Sequence, residues 1–173
     1  SSALDAVRTT VVAILDILKT DGMDKEARRS AMETEIGKRF DFRAMSQSTL
    51  ATNWKSATDA EKQEFTDLFK QLIQNSYVGK LEAYTNETVS YPAEKAKGKK
   101  ALVETLIKTA SADIPVNYKM YKKGDDWLVY DVVIEGVSLI SNYRSSYQTI
   151  VKKEGFDGLM AKMKEKIKEL ESS

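Results

Sequence analysis

The sequence predicts an α+β fold, a twisted antiparallel sheet with helices covering one face. Three observations predict it. Up to about residue 85, apolar residues recur at helical spacing. From about 86 to 135 the period drops towards two, and from about 136 to 171 helical spacing returns. With no internal repeat, low-complexity segment or long linker, residues 1–173 read as a single domain. Its softest boundary falls near Thr85-Asn86.

Leu4, Val7, Val11, Ile14, Leu15 and Leu18 step by three and four, predicting an amphipathic helix that ends near Asp21-Gly22. Asp24 is expected to cap a second helix with a thinner apolar face of Ala27, Ala31, Ile36 and Phe40. Asp41 then caps a short third helix carrying Phe42, Met45, Leu50 and Trp54. Thr58 through Glu61 form a capping box, in which each side chain bonds the other's backbone N–H. The long helix behind it aligns Phe65, Leu68, Phe69, Leu72, Ile73, Tyr77, Leu81 and Tyr84. Gly79 inside it is expected to mark a bend or a close approach.

Thr88 to Glu94 reads as a strand, with Pro92 marking an edge or bulge. In the next, Ala101 to Ala110, Val103, Thr105 and Ile107 share one face, and Leu102 and Leu106 the other. Val116, Tyr118 and Met120 share a face of a third strand opened by Pro115. Lys123 to Asp126 is a hairpin turn. The strand from Trp127 is β-branched and aromatic, as a strand buried on both faces would be. Gly136 breaks it, and Ser138 is placed to cap a helix carrying Leu139, Ile140, Tyr143, Tyr147, Ile150 and Val151. Gly155 interrupts that helix before Phe156, Leu159, Met160, Met163, Ile167 and Leu170.

Lys plus Arg number 27 against 26 for Asp plus Glu, so a net charge of +1 gives no general attraction to nucleic acid or an anionic membrane. The chain has no Cys and no His, which removes thiol nucleophiles, imidazole acid–base chemistry and the usual zinc ligands. No metal or cofactor motif, phosphate loop or nucleophile elbow is present. The apolar runs are too short to cross a bilayer.

Carboxylates are the remaining catalytic stock. Asp125-Asp126 reads as a solvated turn. Asp131, inside an apolar strand, is either a buried general base or a structural carboxylate bonded to backbone or paired with Arg144. The tyrosines at 77, 84, 118, 130, 143 and 147, with Trp127, lie on otherwise aliphatic faces. Periodicity leaves open whether those faces fill a core or wall a cavity. The concave angle where the Trp127 strand turns into the next helix is a natural place for a cavity.

Tyr130-Asp131-Val132, Gly136-Val137-Ser138-Leu139 and Asn142-Tyr143-Arg144 resemble the signature of the MlaC, or toluene-tolerance auxiliary, family. Phe40-Asp41-Phe42, Met45, Leu50, Trp54, the Thr58 box, Phe65, Phe69, Tyr77, Leu81 and Tyr84 follow the same pattern. Ala51 stands where that pattern has Gly, and Tyr147 where it has Phe. The resemblance implies a sheet like that of nuclear transport factor 2 packed on a helical subdomain, with an apolar cavity between them. It implies a periplasmic, monomeric, non-enzymatic phospholipid carrier with no cofactor, its secretory leader removed. Its partners would be an inner-membrane MCE-domain subunit of an ABC transporter and an outer-membrane lipoprotein–porin complex.

A diacyl lipid has about thirty methylenes at roughly 0.8 kcal/mol each, so its extraction forfeits roughly 20 kcal/mol, which only a deep apolar slot can match. Expected walls are Val103, Ile107, Val116, Tyr118 and Met120 from the sheet. Tyr130, Val132 and Ile134 join from the central strand, and Val137, Leu139, Ile140 and Tyr143 follow it. Leu72, Tyr77 and Met160 complete the set, and Arg144 is expected to fix the strand–helix angle or meet a head group or partner. The competing readings are a small cone-shaped enzyme using Asp131 as base and a structural adaptor whose apolar faces are all core.

Overall fold

The computed structural model describes residues 1–83 and 88–172. Tyr84 and the Thr85-Asn86 boundary lie outside them. Caps set where the helices begin. Ser2 and Asp5 form a capping box at the start of α1 (Ala3–Lys19). Asp24 accepts the Ala27 N–H at 2.8 Å and starts α2 (Lys25–Arg39). α3 (Phe42–Leu50) and α4 (Thr52–Ser56) follow, then α5 (Asp59–Glu82). Before α5, Thr58 N–H donates to Glu61 at 2.8 Å and Glu61 N–H to the Thr58 hydroxyl at 3.1 Å, the expected reciprocal pair.

The strands are β1 (Thr88–Lys97), β2 (Lys100–Lys108), β3 (Asp113–Lys123), β4 (Asp126–Ile134) and β5 (Val137–Ser138), and α6 (Leu139–Glu171) closes the chain. The sheet is an antiparallel meander in the order β1-β2-β3-β4-β5. β1 is an edge whose register shifts between Ser90 and Ala93, around Pro92. β5 was not foreseen. It forms because Glu135 (φ 51°) and Gly136 (φ 83°) both take positive φ, as a two-residue hairpin turn requires. That turn folds Val137 and Ser138 back on Ile134 and Val133.

The chain groups into two compact units that do not follow its order. One comprises Ser1–Asp41 and Leu81–Leu139, the other Phe42–Lys80 and Ile140–Ser173. The first two helices, expected with the helical part, therefore belong with the sheet. In this sheet unit α1 lays Ala3, Ala6 and Val7 against Ala101, Val103, Met120, Trp127 and Val129. α2 has one buried residue, Met32. Its C-terminal end is tied down by Arg39. The guanidinium donates to Thr10 Oγ1 at 2.9 Å, Asp126 Oδ1 at 2.6 Å and the Trp127 carbonyl at 2.7 Å. Phe40 then bridges Val129 in parallel, and Asp41 N–H donates to the Val129 carbonyl at 3.0 Å. This segment covers backbone groups that β4 would otherwise leave open.

In the helical unit the single helix expected over residues 42–54 is two, because Ala51 adopts φ 52°, ψ −121° and ends α3. That conformation is open to Gly and strained for Ala. Phe65 and Phe69 of α5 are fully buried and stacked, with centroids 5.4 Å apart. Gly79 has open space where a Cβ would stand, so no close approach explains it. α6 bends at Gly155 (φ 71°, ψ −176°), and beyond the bend a Cβ at Gly158 would stand 2.3 Å from Glu154 Cβ. Past it, Leu159, Met160, Met163 and Ile167 are buried.

Two expectations follow. Ala51→Gly relieves the backbone and stabilises the protein by about 1 kcal/mol, raising Tm by about 2–4 °C in a thermal melt. The second concerns acid. Burial opposes ionisation of Asp126, but the Arg39 hydrogen bond and the Trp127 N–H outweigh it and hold the carboxyl below its usual range. A depressed carboxyl stabilises fully above its unfolded value of about 3.9 and loses that contribution as pH falls through the folded one. The Tm gap between wild type and Asp126→Asn should therefore be constant near neutrality and shrink below about pH 4.

Candidate functional site

Antiparallel register brings the sheet residues expected as walls onto one face. Val103 pairs with Tyr118 and Tyr118 with Val132; Val116 pairs with Ile134 and Ile107 with Ile114. The two ends of that face differ. Val103 and Met120 have 0% exposure, so protein atoms enclose them on every side. Both belong to the core cluster that includes Ala3, Ala6 and Val7 of α1. Val116 and Val132 keep 7% and 6%. Towards the other end Ile107, Ile114, Tyr118 and Ile134 are only partly buried. Desolvation, with Tyr91 adding to it, pushes the Tyr118 hydroxyl up to about 12, so it stays neutral.

Two expected wall residues sit elsewhere. The register of β3 on β4 shifts between Lys119 and Met120, and the extra residue on β4 is Tyr130. Its ring meets Tyr121 and Lys100, away from Val103 and Met120. Strict alternation hides such a bulge from the sequence. Val137 lies on the short β5 and is 58% exposed. Leu139, at the start of α6, is buried.

In the helical unit the apolar side chains converge on an aromatic cluster. Tyr143 meets Phe69 edge-on at 5.4 Å, and Tyr147 meets Phe65 edge-on at 5.9 Å. Beside them opens a cleft of about 260 Å³ lined by Leu72, Asn142, Tyr143, Ser146, Tyr147, Lys162, Met163 and Lys166. Two of its residues, Leu72 and Tyr143, were expected; Ile140 and Met160 are buried in the unit, and Tyr77 is half-buried. Asn142, Ser146, Lys162, Met163 and Lys166 were missed, although their three- and four-residue spacing on α6 was the available signal. Burial raises the hydroxyl pKa of Tyr77, Tyr143 and Tyr147, so the aromatic walls carry no charge. Lysines stand only at the rim, where Lys162 pairs with Glu154 at 2.8 Å across the Gly155 bend.

The remaining candidates are built in. Asp131 accepts the Val132 N–H at 2.8 Å and the Ser138 hydroxyl at 2.6 Å, with Lys119 Nζ at 3.9 Å. These contacts make it a structural carboxylate that joins β4 to β5, with Lys119 as a cationic neighbour in place of the expected Arg144. Arg144 Nε donates to the Ser48 carbonyl at 2.8 Å and ties α6 to α3. Among the described residues no group of three or more Asp, Glu, His or Cys is placed to hold a metal, and no helix is long and apolar enough to cross a membrane.

The profile of one protein family, described as MlaC protein, matches residues 8–165. The chain belongs to the MlaC family. Among MlaC relatives it is similar to the intermembrane phospholipid transport system binding protein MlaC of Haemophilus influenzae, 28% identical over 122 residues. That match covers 67% of this chain and 57% of the Haemophilus protein, so the chain spans little more than half the length of that relative. It is 25% identical over 163 residues to the toluene tolerance protein ttg2D of Pseudomonas putida, covering 88% of this chain and 74% of that one. Its fold matches the phospholipid-binding protein of Ralstonia solanacearum, solved in complex with a phospholipid, at a TM-score of 0.90. There the identity is 26%, with 98% of this chain and 99% of the other covered.

The MlaC signature residues Asp131 and Ser138 thus form one hydrogen-bonded pair. Asp131→Ala removes the acceptor of the Ser138 hydroxyl and of the Val132 N–H and should lower stability by about 1–3 kcal/mol in a denaturant titration, whereas Asp131→Asn should lose less.

Proposed function

We propose that this MlaC-family chain is a periplasmic phospholipid carrier and not an enzyme. It moves lipid between the outer and inner membranes as the carrier component of an ABC-transporter-linked system. The observation that carries this reading is the fold agreement, along nearly the whole chain, with a protein solved with phospholipid bound. Its partners are the MCE-domain subunit at the inner membrane and the lipoprotein–porin complex at the outer. In the sheet unit the apolar side chains offered to an acyl chain are Ile107, Tyr118 and Ile134, and in the helical unit they are Leu72, Tyr77 and Tyr143. Neutral walls support that assignment, since a charge facing an acyl chain would be strongly unfavourable. Tyrosine hydroxyls are protonated at neutral pH, and burial raises the pKa of these three further. The tails supply nearly all the binding free energy, so the head group is weakly read.

Solvent extraction of natively purified protein, followed by mass spectrometry, should release diacyl phospholipid whose head groups mirror the host membrane. Ile134→Glu should lower that occupancy about tenfold by facing the tails with a charge. Protein purified without any phospholipid would overturn the carrier reading, and one dominant head group unlike the membrane's would overturn the weak readout.

A further inference from the structure

An antiparallel sheet packed on one face is expected to be polar on the other. This one is not. Opposite the face that α1 covers, Leu102, Leu106, Tyr121, Leu128, Tyr130 and Val133 are all partly exposed. Lysines stand among them. Lys100 pairs with Tyr121 across β2 and β3, and its Nζ lies 4.6 Å from the centroid of the Tyr130 ring. Lys97 pairs with Lys100, and Lys119 with Leu102. The carboxylates nearby are already engaged. Glu104 lies 3.8 Å from Lys95, Asp131 takes the Ser138 hydroxyl beside Lys119, and Asp41 accepts from the Tyr121 hydroxyl. Among the described residues no carboxylate pairs with Lys97 or Lys100. The same end of the sheet carries Lys99, Lys122 and Lys123, against Asp125 and an Asp126 held by Arg39.

We propose that this outer face is a docking surface for an acidic patch on a partner protein. This deepens the carrier reading and takes its partners from it. Charge selects the occupant, because an aromatic surface with unspent lysines complements carboxylates around an apolar centre. Size selects the kind of contact. Four strands about 4.8 Å apart and about seven residues at about 3.3 Å each give a face of about 450 Å². That is below the roughly 800 Å² per partner of stable complexes and suits a transient encounter. A second copy of this chain is a poor fit, since a two-fold contact sets the same patch on both sides and so brings like charge to like charge. A bilayer is a poor fit too, because the turns at this end, Gly98-Lys99 and Gly124-Asp125, offer no apolar side chain to insert.

The test uses Lys97→Glu/Lys100→Glu, with Lys152→Glu/Lys153→Glu on exposed positions of α6 as control. The probes are the purified soluble domain of the MCE-domain subunit and the detergent-solubilised lipoprotein–porin complex. Affinity for at least one should fall about tenfold or more in the first variant and fall with added salt, while bound lipid and the control are unchanged. Wild-type binding that the first variant leaves intact would overturn the docking face and spare the carrier reading. Wild type that binds neither probe would overturn both. Two further results would overturn the proposal: lysine-dependent flotation with phosphatidylglycerol vesicles while both probes bind normally, or a lysine-dependent dimer in sedimentation.

Discussion

Val103, Tyr118 and Val132 stand side by side across three antiparallel strands. Almost everything in the sheet unit depends on that registration. Side chains alternate between faces, so a slip of one residue would exchange the face packed by α1 with the outer one. The slip is prevented from two sides. Trp127 and Val129 are buried under α1, and the Arg39 to Asp41 segment is bonded along β4. The bulge at Tyr130 is absorbed within this frame, turning one aromatic ring outward while Val129 and Val132 remain inside.

On the proposed reading, the chain must fold without a lipid and still present apolar surface to one. The sheet unit meets both demands by grading a single face. Its α1 end is closed, with Val103, Val129 and Met120 at zero exposure, and its far end keeps Ile107, Tyr118 and Ile134 accessible. The closed end supplies stability that does not require lipid. The helical unit has its own floor of Phe65 and Phe69, with tyrosines above it whose hydroxyls stay protonated.

Three carboxylates hold segments of the sheet unit together. Asp131 joins β4 to β5, Asp126 receives Arg39, and Asp41 receives Tyr121. Asp126 and Asp41 each lie where two segments distant in sequence meet, and Asp131 lies across a turn that the period of its strand does not announce. The family signature around Asp131 and Ser138 is accordingly a folding contact, a hairpin followed at once by a helix.

By itself the sequence determined the element types, the caps at Asp24 and Thr58, and the shared face of Val103, Ile107, Val116 and Tyr118, because these follow from local hydrogen bonding and a period of two or 3.6. The α+β class was legible for the same reason, and the family through the resemblance of an ordered set of short motifs. Tertiary structure alone decided that α1 and α2 belong with the sheet, that Tyr130 faces outward and that Ala51 breaks a helix. It also decided that Val103 and Met120 are fully enclosed. Those outcomes depend on which surfaces meet and on where one residue is added to a strand, and neither is written in the periodicity of a single segment.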